Sequence, residues 1–216
     1  MDIFTAMRER KSARAYLDKP VPKSDIDEIF KYAGLAPSAI NLQPWEFIVT
    51  YGEEKNRLVR RLKNAQAEKC ITCGPGTTEP LPEKFNRRSC EALEVMEPKI
   101  TSMGLAFNQF IEEGSCSFYN APLAVIVAID KIFPPIRYLD VGLSVSYFLL
   151  AVHAKGLASC PIGLITAYAD EIADALNIPK EKEILLTIAV GYADEVSPAN
   201  DFKTTRADLT EIVTWY

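Results

Sequence analysis

The spacing of apolar positions along the 216-residue chain changes several times, and each change marks an element. Ile3, Phe4 and Met7 share one face behind Asp2, which predicts a short opening helix. Ile26, Ile29, Phe30 and Ala33 recur at helical spacing, with Ser24 placed as N-cap, Asp27 three residues on, and Gly34 placed to end the helix. "LAPSAINLQPW" sets two prolines among small polar residues and predicts a loop. "EFIVTY" then reads as a buried strand and "EEKNRLVRRLKNAQAE" as a charged amphipathic helix. Residues 74–89 hold prolines and glycines without a period, which predicts a long excursion; the core pattern resumes beyond it. "NAPLAVIVAID" is a nearly continuous apolar strand, and "LDVGLSVSYFLLAVHAKG" a helix apolar around most of its circumference, hence central. "DEIADALN" adds an amphipathic helix and "EILLTIAVGY" another buried strand. Helices and strands do not alternate strictly, which predicts an α+β fold.

Composition narrows the partners. Hydrophobic residues make up 48% and charged ones 25%, an ordinary globular balance. With 24 basic against 29 acidic residues the net charge is −5, and no basic stripe stands above that background. A nucleic-acid partner is therefore not expected, and any anion site must be local. The opening residues are too charged for a signal peptide. The longest apolar stretch, 141–154, is broken by Gly142, Ser144, Ser146 and His153, so no membrane span is expected. Five cysteines (Cys70, Cys73, Cys90, Cys116, Cys160) are an odd set that reads as free thiols in a reducing cytoplasm.

The usual catalytic constellations are missing. Cys70 and Cys73 form a C-x-x-C without a second pair, and His153 is the sole histidine, so neither a metal site nor a hydrolytic triad is expected. "GPG" at 74–76 lacks the lysine and threonine of a phosphate loop. What remains is Arg10, Ser12 and Arg14 at every-other spacing. In an extended segment they point to one side, and two guanidinium forks with a hydroxyl suit a phosphate. The same spacing fits a basic surface turn, and the stretch alone does not decide between them.

Further stretches occur in order after R-x-S-x-R: "APSAINLQPWEFIV" (36–49), "APLAVIVA" (121–128) leading to "LDVGLSVSYFLLAVHAKGLASCPIG" (139–163), and "TTRADLTEIV" (204–213). Together they resemble the nitroreductase family of flavin enzymes over nearly the whole chain, apart from about 70–118. The resemblance implies a three-layer α+β sandwich, with a central mixed or antiparallel sheet flanked by helices. It also implies one domain over 1–216 with an inserted lid at about 70–118, and an intertwined homodimer with FMN at the subunit interface. By that resemblance Arg10, Lys11, Ser12 and Arg14 hold the phosphate and ribityl end of FMN, joined by Lys203 and Arg206 of the tail. Pro37, Ser38 and Asn41 approach from the other subunit, and Pro161, Ile162 and Gly163 line the isoalloxazine as a rigid turn offering a backbone N–H.

The implied reaction is a ping-pong exchange from NADH or NADPH through FMN to a nitroaromatic, quinone or similar planar acceptor. Since the flavin carries the hydride chemistry, no side chain is named as catalytic. Phe85, Phe107, Phe110, Phe118 and Tyr119 can stack on such an acceptor or pack as core. Two alternatives stand beside this reading. One is a reductive dehalogenase of the same fold, with "EALEVMEPK" (91–99) as its lid; the other is a non-catalytic FMN-binding redox module.

Overall fold

The computed structural model describes residues 2–69, 71–74 and 76–216. Its centre is a four-stranded sheet, order β1-β2-β4-β3, formed by β1 (Trp45–Tyr51), β2 (Leu123–Asp130), β3 (Ala158–Ile162) and β4 (Lys182–Gly191). Every strand pair is antiparallel, with Ile48 opposite Ile126, Val125 opposite Ile188 and Cys160 opposite Ala189. β2 is buried almost throughout, because both faces of the sheet are covered.

Alternation along β2 separates two cores. Ala124 and Ile126 face a layer made by α3 (Gly52–Lys69), the end of α5 (Phe107–Cys116) with the turn 118–120 after it, and α7 (Ala169–Leu176), through Leu58, Leu62, Cys116, Phe118 and Ile172. Leu123, Val125, Val127 and Ile129 face α2 (Lys23–Ala33) and α6 (Tyr138–Ala154), through Ile26, Ile29, Val141, Phe148 and Val152. The period of two in the strand and of 3.6 in the helices brings these stripes together. Phe30, Phe47 and Phe148 form one aromatic cluster there, with ring centroids 5.2–5.8 Å apart.

The helical run Pro135–Ala154 has the length and composition of a membrane span, but Val141, Val145, Phe148 and Val152 pack into the core. Its other face leaves Leu139, Leu143 and Tyr147 exposed. The remaining helices are α1 (Ile3–Glu9), α4 (Glu83–Thr101) and α8 (Leu209–Ile212). Asp2 caps α1 as expected, its carboxylate accepting from the N–H groups of Phe4 and Thr5 at 3.0 Å.

Two local expectations need correction. Ser24 is not the cap of α2: the helix starts at Lys23 behind Pro22, and no side chain caps it. Pro22 holds Val21 out of the helical region, so the boundary comes from ring sterics. The aperiodic stretch 74–89 is not loop to its end, since α4 begins at Glu83. Only Met96 and Ile100 of α4 are buried, and both lie in its last two turns, beyond the stretch 74–89, whose first helical turns are mostly charged and exposed. The Cys70 half of the C-x-x-C lies outside the described residues, and Cys73 is an exposed free thiol.

Candidate functional site

Residues 10–16 are extended and lie along the sheet edge beyond β3. Ser12 bridges Ser159 in parallel, Ala13 N–H donates to the Ser159 carbonyl at 3.0 Å, and Tyr16 bridges Ala193. Ala13 is buried, while Arg10, Ser12 and Arg14 on the opposite side line a cavity of about 350 Å³. Lys11 lines it too, and Met7 of α1, Met96 of α4 and Phe202, Lys203, Thr204 and Arg206 of the tail close it. The structure thus brings together the cations expected from both ends of the chain, and the surface-turn reading of R-x-S-x-R gives way to a cleft.

The electrostatics of the cavity are one-sided. Burial and then repulsion from Arg206 lower the pKa of Arg10. For Arg14, burial opposes the charge, a hydrogen bond with Tyr119 supports it, and the net rise depends on Cys160, Tyr119 and Tyr16 losing their protons at high pH. Burial pushes Tyr16 well up and Tyr119 to about 12, and raises Cys160 although Arg14, Ser12 and Arg10 pull it back. Those phenols and that thiol stay neutral, so they cannot balance the cations. Among the described residues no carboxylate pairs with Arg10, Lys11, Arg14, Lys203 or Arg206. The neighbouring Asp201 is taken by Lys99 at 2.5 Å. Arg14 Nε is buried with no hydrogen-bond partner. A buried donor without a partner is costly, and the chemistry of this donor set suits an anion.

Arg14 is also held mechanically. Its guanidinium lies 5.9 Å from the ring centroids of both Tyr119 and Phe202. Tyr119 sits in a turn where Phe118, Tyr119 and Asn120 all have positive φ (53°, 50° and 59°), backbone that side chains rarely adopt. The ring fits because residue 114 is glycine: a Cβ there would lie 2.2 Å from Tyr119 Cε1. Arg206 is exposed and braced by its own turn, donating to Thr204 Oγ1 at 2.8 Å and the Thr205 carbonyl at 2.7 Å.

Other expected residues lie elsewhere. Pro161 and Ile162 are not a turn but the end of β3, opposite Ile188 and Thr187; only Gly163 follows the strand, its carbonyl accepting from Thr166 N–H at 3.1 Å. Proline is tolerated in a strand at a sheet edge, where a missing N–H breaks no ladder. Ser159 beneath the clamp and Gly163 are four residues apart, roughly 13 Å at strand rise. Pro37, Ser38 and Asn41 do not line the cavity. They belong to a loop in which Ile40, Asn41 and Gln43 have positive φ, and Ser38 Oγ accepts from Gln43 N–H at 2.9 Å. Ile40 at its tip is 92% exposed. Asn200, Phe202 and Met96 escape a sequence reading as site residues, because each gains its role only when a distant segment folds against residues 10–14; Tyr119, expected as an acceptor-stacking or core aromatic, instead flanks Arg14.

Residues 7–192 match the model of the nitroreductase family. The chain belongs to that family. It is 31% identical over 214 residues to nitroreductase NfnB of Mycolicibacterium smegmatis, covering 95% of this chain and 88% of the relative. It is 28% identical over 196 residues to the iodotyrosine deiodinase of Thermotoga neapolitana, covering 91% of each. Among solved structures, the FMN-dependent nitroreductase NfnB from Mycobacterium smegmatis in complex with NADPH superposes with a TM-score of 0.88 at 28% identity, over the full length of both chains. The cationic tail, from Lys203 to Arg206, lies beyond the residues that the family model matches.

Proposed function

We propose that this chain is an FMN-dependent NAD(P)H oxidoreductase whose cationic cleft holds the FMN phosphate. The observation that carries the reading is the set Arg10, Lys11, Arg14, Lys203 and Arg206 around one cavity, none ion-paired with a carboxylate among the described residues, with the buried Arg14 Nε lacking a partner. A phosphate dianion fits that donor set: its oxygens accept bidentately from arginine forks, and Ser12 adds a hydroxyl donor. When bound, FMN accepts hydride from NADH or NADPH and passes electrons to a nitroaromatic, quinone or similar planar acceptor.

The chain's own part in this reading is binding and orientation. The strand that runs under the clamp continues to Pro161 and Ile162, with Gly163 next in the chain, so phosphate and ring would be registered by one rigid element. Pro161 has no N–H, which leaves the backbone of Ile162 or Gly163 as the donor toward the ring. Donor and acceptor use one face in turn, the geometry of a ping-pong exchange. No side chain need act as base. The working unit in this reading is a homodimer, with Pro37, Ser38 and Asn41 of a second copy completing the site. The exposed apolar residues Leu139, Leu143 and Tyr147 on α6 and the strained, protruding loop at Ile40 support it.

The test is an absorption spectrum of the purified protein, then NADH and NADPH added under nitrogen. A flavin band bleached by either donor is expected. A colourless protein that FMN does not reconstitute overturns the reading.

The deiodinase relative keeps a reductive dehalogenase as second reading. It requires a lid whose charges are free to clamp a zwitterionic amino acid. Along α4, however, Glu91 accepts from Thr205 at 3.0 Å and Lys99 pairs with Asp201. Iodide release from 3-iodotyrosine by the reduced protein would favour that reading. Continuous NAD(P)H oxidation with a nitroaromatic favours the first, and excludes a module that binds FMN without turnover.

A further inference from the structure

Asn200 lies in the tail, beyond the family match, and is buried to 3% exposure. Its side-chain oxygen accepts from the backbone N–H of Arg14 at 2.7 Å. Its amide nitrogen donates to the carbonyls of Ala15 at 2.8 Å and Asp194 at 3.0 Å. Its own carbonyl accepts from Lys11 Nζ. The carboxamide orientation follows from its partners, since an N–H can only donate and two carbonyls can only accept. Both amide protons are used, and the oxygen is committed.

One side chain therefore joins the extended clamp, on either side of the Arg14–Ala15 peptide, to the start of the tail. Two residues on, Phe202 flanks the Arg14 guanidinium, and Lys203 and Arg206 follow into the cavity. The outer side of the tail is tied to α4 by Lys99–Asp201, Glu91–Thr205 and Arg88–Glu211, at 2.5, 3.0 and 3.0 Å. Those outer ties are exposed or half-exposed and open to salt. The bonds of Asn200 are buried, and they set the register of the tail against residues 10–14.

We propose that Asn200 is a positioning residue for the anion site: it aligns the cations of the tail with those of the N-terminal stretch, so that both converge on one phosphate. The inference rests on the FMN-phosphate reading of the cavity. Asn200 itself lines neither the cavity nor the proposed ring site. Aspartate at 200 would keep the acceptor for Arg14 N–H, but would turn an oxygen toward the carbonyls of Ala15 and Asp194. The tail would then lose its register with little change in volume.

The test uses the full chain freed of flavin, as the Asn200→Asp and Asn200→Ser variants. Binding of FMN and of riboflavin, which has no phosphate, is read by quenching of flavin fluorescence. Asn200→Asp is expected to weaken FMN by about tenfold or more, the scale of the buried hydrogen bonds it breaks, and riboflavin by about twofold or less. Asn200→Ser, which adds no charge, is expected to change the FMN-to-riboflavin ratio in the same direction. Added inorganic phosphate should raise the Tm of the wild-type apoprotein more than that of either variant. A lower Tm with an unchanged FMN-to-riboflavin ratio in a folded variant would mean a purely structural role and overturns the inference. Arg14→Lys separates the two levels. If it too leaves the ratio unchanged, the phosphate reading of the cavity fails; if it lowers the ratio while both Asn200 variants do not, only the positioning role fails.

Discussion

Replacing Arg14 by lysine asks whether the cleft recognises phosphate by geometry or by charge alone. The substitution keeps one positive charge on a stem of similar length, but removes the planar fork and with it the buried Nε that has no partner in the protein. The flanking rings of Tyr119 and Phe202, each 5.9 Å from the guanidinium, still face a cation, so much of that contribution is kept. What is lost is at least one charge-assisted hydrogen bond to phosphate, about 1.5–3 kcal/mol. The FMN Kd should rise by about 10- to 150-fold at 25 °C. Riboflavin binding should move by about twofold or less, because its contacts do not include the fork. Isothermal titration of the flavin-free protein with both ligands measures the pair of constants under one set of conditions. Arg206→Ala serves as the internal scale: it is exposed and already braced by Thr204 and Thr205, so its loss should cost a few-fold at most, and less at high salt. If Arg14→Lys weakens FMN and riboflavin equally, or weakens neither, the fork does not hold a phosphate and the cations have another purpose.

Other outcomes follow from the same packing. Gly114→Ala puts a methyl 2.2 Å from Tyr119 Cε1 and must displace the ring that backs Arg14; a loss of about 1–3 kcal/mol is expected in denaturant titration, and an unchanged midpoint would refute the contact. At high pH the fold should weaken, since burial holds Cys116 up to about 11 and Tyr119 to about 12. The folded state keeps protons there that the unfolded chain releases, so stability is full below the ordinary thiol and phenol range and falls through about pH 9–12; a flat Tm over that window would contradict it. Lys55 is buried and donates to the Ala121 carbonyl at 2.6 Å, with burial lowering its pKa. Lys55→Met, which keeps the volume and removes the buried charge, should be milder in chemical denaturation than Lys55→Ala, which adds a cavity; a loss in Lys55→Met as large as in Lys55→Ala would mean the ammonium is net stabilising.

How much of this fold was legible depends on how much of each element is buried. β2 and β4 announce themselves because both faces are covered, and α2 because its core stripe is clean. α4 does not, because it buries little beyond Met96 and Ile100 and meets the rest of the protein through charged ties to the tail. Its first turns are held by polar contacts to a segment more than a hundred residues away, and such ties leave no apolar stripe to read there. β3 is short and carries Pro161, so it reads as a connection until its pairing with β4 is seen.

The site divides along the same line. Arg10, Ser12 and Arg14 were readable because alternation in an extended segment is a local property, and the edge of β3 keeps that segment extended. The partners that make them a site are not local. Tyr119 reaches Arg14 from a left-handed turn whose three residues carry no glycine to flag it, and the permissive glycine stands earlier, at 114. Asn200 is an ordinary polar residue of a loop until the tail folds back; it then becomes one of the few buried polar side chains in the protein. Under the proposed phosphate reading, a chain of net charge −5 accommodates a dianion because nearby carboxylates are engaged elsewhere, Asp201 by Lys99 and Glu211 by Arg87 and Arg88. The specificity of the cleft therefore lies as much in where its acidic residues are engaged as in where its arginines point.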